Sequence, residues 1–355
     1  MAETVAARMT RAALEAFCME ALRRCEFSEA DAATTANVLI TTEMWGVSTH
    51  GVRQLLPLLR MIRSRRLFVD AKPEIVRSGP AWAIVDGHFA MPMVTGTFAM
   101  TEAIARARAC GIGYVGVRHS AHFGAAGYYA HLASTQGLFG MVMSNVAPCV
   151  AIPGSKRSVI GSNPIAYSAP AGEEYPLLFD IATSAVAASK IYRLVAKGEP
   201  IPEGWLIDND GHPTTDASHY PAEGAMMTMA GHKGYGFALL AEIMSAVMTG
   251  ASITCDVVSW VAESSGSPDE GHSFFAIDCG AFLPLDEFKQ RMDLLIQRMH
   301  AAPKAEGTER IYVPGEMEWE KYAASEVHGI PLASDVLDNL LVLADELEIV
   351  SPVLL

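Results

Sequence analysis

Apolar residues at helical spacing dominate both ends of this chain, while the middle carries short apolar runs bounded by turn residues. Thr10 is placed to cap a helix reaching about Arg24, and Ser28-Glu29-Ala30-Asp31 reads as a capping box for a second helix to about Met44. A third helix is predicted from near Thr49 to about Arg63, with Pro57 inside it as a kink point. A strand at 81–85, closed by Asp86-Gly87, opens a mixed region. It continues with a helix over 95–109, a strand over 114–117, a helix over 125–136 and apolar runs at 138–143, 165–168 and 177–179. A helix over 184–197, a loop over 200–222, a strongly apolar helix over 236–249 and a last strand over 273–277 follow. Helices near 285–300 and 334–347 close the chain. Strands and helices do not alternate strictly, so a doubly wound parallel sheet is not the predicted architecture.

With 355 residues the chain exceeds one simple core, which predicts two or three domains. Half of its residues are hydrophobic and 19% are charged, the balance of a folded protein. A formal net charge of -14 disfavours non-specific nucleic-acid binding but leaves room for a local basic pocket. No uncharged apolar run reaches the roughly 18 residues of a membrane span. The N-terminal stretch, with Glu3, Glu15 and Glu20, lacks the bare apolar run of a signal peptide. Six cysteines are scattered without C-x-x-C spacing, which fits reduced thiols in a cytoplasmic protein.

Gly111-Ile112-Gly113-Tyr114-Val115-Gly116 matches the dinucleotide fingerprint letter for letter. The fingerprint must follow a strand and open a helix. Here a helix precedes and a strand follows, so the glycines are expected to end a helix and turn into a strand.

Four other segments can carry chemistry. Ser48-Thr49-His50-Gly51 places an imidazole at a predicted helix start, with Ser48 or Thr49 as the cap and a helix field that lowers the imidazole pKa. His119-Ser120-Ala121-His122-Phe123-Gly124-Ala125-Ala126-Gly127 joins a strand to a helix. Its small residues suit either phosphate approach or close helix–sheet packing. His119 and His122 have no carboxylate or cysteine at metal-ligand spacing, so no metal site is expected. Asp180, after Leu177-Leu178-Phe179, can hold ribose hydroxyls or cap the next helix. Gly231-His232-Lys233-Gly234-Tyr235-Gly236 puts a compact cation at a helix start, where it suits a diphosphate or stands as an ordinary exposed lysine.

Taken in order, and with Gly161-Ser162-Asn163-Pro164 and Pro314-Gly315-Glu316, these motifs resemble the malate/L-lactate dehydrogenase family that is distinct from the Rossmann-type lactate and malate dehydrogenases. That family also includes sulfolactate, ureidoglycolate and diketogulonate enzymes and a cyclic-imine reductase. The resemblance spans about Thr10 to Leu347. It implies an α/β fold of the α+β kind, sulfolactate dehydrogenase-like, with a mostly antiparallel mixed sheet in the cofactor domain. The implied division is an N-terminal helical domain (1–75), a central sheet-containing cofactor domain (76–305) and a C-terminal segment (306–355) packing back on the first. The resemblance further implies a homodimer, NAD or NADP as cofactor, and a small 2-oxo or 2-hydroxy acid as substrate, with NAD favoured because no arginine cluster stands near Asp180.

By matching position the resemblance makes His50 the general acid/base, supported by Thr49, with His122 close enough to assist. Ser48, Arg53, Gln54 and Ser162 become substrate contacts. Cofactor contacts are His122, Phe123, Gly124, Ala125, Ala126, Ser144, Asp180, Ile181, Ala182, His232, Lys233, Gly234, Arg310, Pro314, Gly315 and Glu316. Three positions depart from the family pattern. Thr49 replaces the usual serine before the histidine. Gln54 stands where many members place a substrate-clamping arginine, and Arg53, one position early, is turned by about 100° on a helix. Lys190 replaces an aspartate of the imine-reductase branch, which argues against that branch. Two other classes stand beside this one. A Ser48–His50 hydrolase lacks a nucleophile elbow and an oriented aspartate in the sequence. A non-catalytic dinucleotide-binding protein would bind cofactor without oxidising any 2-hydroxy acid.

Overall fold

A computed structural model of the chain describes residues 5–218, 220–260 and 266–355. The two chain ends meet in it. β1 (Val5–Met9) pairs antiparallel with β14 (Ile330–Ala333). α1 (Arg11–Arg24) starts where the Thr10 hydroxyl accepts from Ala13 N, and α2 (Glu29–Met44) where Ser28 accepts from Asp31 N. α11 (Ser334–Leu347) packs on α1 and on α3 (Leu55–Arg63). The third helix therefore starts later than expected. Two short 3-10 turns, Ser48–His50 and Val52–Gln54, precede it, and Pro57 falls in the first turn of α3, where its missing N–H needs no partner.

The main sheet runs in the order β2 (Glu74–Gly79), β3 (Trp82–Asp86), β4 (Ile112–Ser120), β13 (Glu270–Asp278), β5 (Leu138–Ser144), β8 (Ile165–Ala169) and β9 (Leu177–Ile181). Every pair is antiparallel except β3 with β4. α4 (Pro92–Cys110) and α5 (Ala126–Ser134) pack against it closely. A Cβ on Gly113 would stand 2.1 Å from Ala103 O, and one on Gly140 would stand 2.4 Å from Ala130 O. Gly111 caps α4 at a φ of 85°. The fingerprint-like glycines thus end a helix and let it lie on the sheet.

A smaller sheet has the order β11 (Pro213–Thr214), β10 (Leu206–Ile207), β12 (Ala225–Met226), β6 (Val150–Ala151) and β7 (Ser158–Ile160). The predicted loop over 200–222 supplies two of its strands. Ile191 of α6 (Ala188–Ala196), a helix shorter than predicted, joins its separate core with Val150, Ile160 and Leu206. The apolar helix expected over 236–249 is α7 (His232–Glu242) followed by a π-turn, Ile243–Val247. α8 (Cys279–Phe282) and α9 (Leu285–His300) lead to α10 (Glu316–His328), a helix the pattern reading did not assign. The larger core is continuous from Leu14, Leu39 and Leu58 through Val117, Tyr129 and Phe274 to Leu343. No helix among the described residues is long and apolar enough to cross a membrane.

Candidate active site

The His50 turn is built on a buried carboxylate. Glu43, 2% exposed in the last turn of α2, accepts a hydrogen bond from Val52 N at 3.0 Å. A Cβ on Gly51 would lie 2.2 Å from Glu43 Oε2, so only glycine admits this approach. Gln54 Nε2 donates to Thr49 O and fixes the turn from its other side. Thr49 Oγ1 and His50 Nδ1 are 2.8 Å apart. Burial pushes the His50 imidazole down to about 4. The expected helix field is not the cause, because no α-helix begins at this residue.

The loop after β4 comes to the same place. A Cβ on Gly124, whose φ is 83°, would stand 3.5 Å from His50 O. The His122 ring lies 5.1 Å from that of His50 and 4.5 Å from the indole of Trp260. Burial, then the neighbouring His50 and His272, hold the His122 imidazole well below its ordinary value. Both imidazoles are thus neutral at pH 7. Trp260 is held by the buried Arg66, which donates to the carbonyls of Ser259 at 2.9 Å and Trp260 at 3.4 Å. The loop's other residues divide. Ala125 and Ala126 are buried beside the turn into α5. The Phe123 ring is stacked between Tyr129 at 4.8 Å and His272 at 4.1 Å and belongs to the core, which leaves only its backbone to face the loop. His119 is engaged by Asp86 at 2.9 Å, away from the imidazole pair.

Asp180 caps a helix, but not the one that follows it. Its Oδ2 accepts from Gly127 N at 2.7 Å, in the first turn of α5. Although the residue keeps exposed surface, the desolvated carboxyl is raised to about 6, against the pull of that hydrogen bond. A carboxylate therefore already occupies the anion position at the start of α5. The 310–316 segment lies beside it. Pro314 O accepts from Leu178 N at 3.2 Å, and Gly315, at a φ of 98°, sits so near Leu178 that a Cβ would approach to 2.8 Å. Two side chains there serve the protein itself. Glu316 accepts from Val313 N at 3.0 Å, and Arg310 pairs with Glu320 and lies 4.5 Å over the Tyr312 ring.

Two further positions have side-chain partners of their own. Ser144 Oγ bonds His272 Nδ1 at 2.8 Å and Gly271 O at 3.2 Å, so its hydroxyl is committed to the core. Arg53 pairs with Asp335 of α11 at 2.6 Å, which takes its guanidinium away from a clamping role. Lys190 lies exposed in α6. Ile181 ends β9 and Ala182 follows it, both half-buried, and Thr183 then donates from N at 2.8 Å and from Oγ1 at 3.0 Å to Ser162 O. Gly231 opens α7 at a φ of 62° with nothing within 4 Å of where its Cβ would be. His232 and Lys233 follow it exposed, while Gly234 is buried against Met229 O.

Pattern reading missed Trp260, Glu43 and His272. Glu43 left a signal: it is a charge on an otherwise apolar and hydroxyl-bearing stretch of helix. A lone indole in a loop and a histidine at a strand start left none.

The chain as a whole is similar to known proteins. Residues 9–341 match the family model described as malate/L-lactate dehydrogenase. The malate dehydrogenase of Pyrococcus abyssi is 36% identical over 94% of this chain and 93% of its own length. The L-sulfolactate dehydrogenase of Methanocaldococcus jannaschii is 33% identical over 93% of this chain and 94% of its own. The crystal structure of malate dehydrogenase from Entamoeba histolytica superposes with a TM-score of 0.91 at 28% identity, covering 98% of this chain and 99% of that one. The chain, with its sheet almost wholly antiparallel rather than doubly wound, belongs to the malate/L-lactate dehydrogenase family of oxidoreductases.

Proposed function

We propose that the protein is an NAD-dependent dehydrogenase of a small 2-hydroxy acid of the malate, lactate or sulfolactate type. The observation that carries this reading is the pair of half-buried, desolvated and neutral imidazoles, His50 and His122, brought together by two loops from different parts of the chain. NAD, when bound, supplies the hydride acceptor. His50 takes the hydroxyl proton of the acid. With Nδ1–H donating to Thr49 Oγ1, Nε2 keeps its lone pair and takes the proton, giving an imidazolium whose Nδ1–H the Thr49 oxygen still accepts; in the reverse reaction that imidazolium returns its Nε2 proton to the developing alkoxide. Trp260 lies over the His122 ring and shields that side of the pair from water. The hydroxyls of Ser48 and Ser162 orient the substrate.

The residues fit a dinucleotide. The open Gly231 start of α7 and the exposed Lys233 suit its diphosphate. The Asp180 carboxylate suits ribose hydroxyls and repels a 2′-phosphate, which favours NAD over NADP. The backbone of 314–315 and of 181–182 completes the same groove. A ureidoglycolate- or sugar-acid-type substrate is the alternative within the family. The helical ends, 1–75 with 306–355, form one domain in this reading and 76–305 the other. A second copy covers the exposed apolar stripe of Phe237, Leu240, Ile243 and Val247 along α7 and the π-turn, making a homodimer. A spectrophotometric screen of 2-oxo acids with NADH and NADPH in parallel tests the reading. Turnover of at least one such acid with a preference for NADH is expected, and no turnover of any would overturn it.

A further inference from the structure

The Gly161-Ser162-Asn163-Pro164 motif contributes more than one hydroxyl. A Cβ on Gly161 would lie 2.3 Å from Val146 O and 2.5 Å from Asn163 Oδ1, so the turn is pressed onto the end of β5. Asn163 is fully buried. Its Oδ1 accepts from Val146 N at 3.2 Å, and its Nδ2 donates to Ala238 O at 3.1 Å and to Glu242 Oε2 at 2.8 Å. Glu242, 4% exposed at the end of α7, receives two more donors on Oε1: Asn145 Nδ2 at 3.3 Å and Thr254 N at 2.8 Å. Asn145 in turn accepts from Gly271 N at 2.8 Å and donates to Ser252 O at 2.9 Å.

Three N–H donors converge on one buried carboxylate, and no lysine or arginine pairs with it among the described residues. A charge held in this way is stable only while each donor stays in place. The hub therefore locks four segments to one another: the end of β5, the 161–164 turn, α7 and the 252–254 loop. Two of them carry residues of the proposed site. Asn163 is next to Ser162, and Glu242 lies on the helix whose first turn carries His232 and Lys233. The α-helix also gives way to the π-turn immediately after Glu242, a break of the kind that clusters at functional sites.

We propose that Glu242 is a positioning residue, which through Asn163 and Asn145 sets the cofactor-binding start of α7 against the substrate turn at Ser162. The proposal rests on the dehydrogenase reading. Its hydrogen-bond polarity makes it testable. Glu242→Gln puts an N–H against an N–H of one of its three partners. Asn163→Asp sets two carboxylates face to face. In the double variant the new amide at position 242 can donate to the new carboxylate at position 163, so the two changes partly compensate.

The test measures NADH affinity by fluorescence titration, and the KM for the best 2-oxo acid, in the full chain. Measurements are made at a temperature where circular dichroism shows each variant folded. Glu242→Gln is expected to weaken NADH binding and raise that KM by about tenfold each. The double variant is expected to bind NADH at least tenfold more tightly than Asn163→Asp, or to fold where Asn163→Asp does not. NADH affinity and KM unchanged in folded Glu242→Gln would make Glu242 a fold-supporting residue only and overturn the proposal, as would strict additivity in the double variant. Wild-type protein that binds no NADH would instead sink the dehydrogenase reading.

Discussion

The two ends of the proposed cofactor groove handle charge in opposite ways. At the imidazole end, His50 and His122 are desolvated, neutral and in contact at a tilt of 34°. At the start of α7, Lys233 stands exposed beside an open glycine. Proton chemistry gains from a dry site, where the pKa of a base is set by its surroundings. Capture of a doubly charged phosphate group gains from an accessible cation and a helix N-terminus. A third place, the start of α5, resembles the α7 start in sequence but carries Asp180, so the charge there is reversed. A small-residue helix start is therefore not enough to identify a phosphate site; the side chain that caps it decides.

Substitutions at the two ends should separate chemistry from binding. The largest effect is expected for His50→Ala: loss of turnover by roughly 10²–10⁴-fold, with NADH affinity within about threefold of wild type. Turnover near wild type would remove His50 from proton transfer, and a parallel loss of NADH binding would mean the two ends are not separable. Lys233→Ala should do the converse. Its NADH dissociation constant is expected to rise by about tenfold, less so at high salt, with kcat little changed. An unchanged constant would make Lys233 a bystander.

A smaller effect tests whether burial alone holds groups neutral in this sheet. Glu270, fully buried at the start of β13 with neither oxygen hydrogen-bonded among the described residues, is pushed by desolvation from 4.5 to about 8. The unfolded chain releases this proton above 4.5, while the folded chain keeps it until about 8. Stability tied to the group is thus complete below 4.5 and lost as pH rises toward 8. Glu270→Gln, which cannot titrate, should raise the melting temperature by several degrees more at about pH 8 than at about pH 5. Equal shifts at both pH values would show that the carboxyl finds a partner in solution.

Much of this is legible in the chain, and the failures have physical causes. Helices with hydroxyl caps, α1 and α2, and the long amphipathic α9 and α11 lie where their patterns put them. The glycine run at 111–116 is no cofactor loop, as its sequence context predicts, because the order of helix and strand is a local property. The start of the third helix is not legible. Its turns are dictated by Glu43 reaching Val52 N, a contact between residues whose roles sequence spacing does not reveal. Position alone assigns Phe123 and Ser144 to the cofactor, yet each is committed to His272 on a distant strand. The same limit hides the role of Asn163: Ser162 carries the visible chemistry, and the partners of Asn163 lie up to 79 residues away.

The central claim is that His50 is a neutral base at neutral pH because its surroundings desolvate it. The pH dependence of kcat/KM for 2-hydroxy-acid oxidation reports the free enzyme directly. The rate constant is predicted to hold level from neutrality down through the weakly acid range and to fall with a midpoint near 4, where the desolvated imidazole takes a proton. A midpoint at the ordinary histidine value of 6.5, or an acid limb that persists unchanged in the residual activity of His50→Ala, would contradict it.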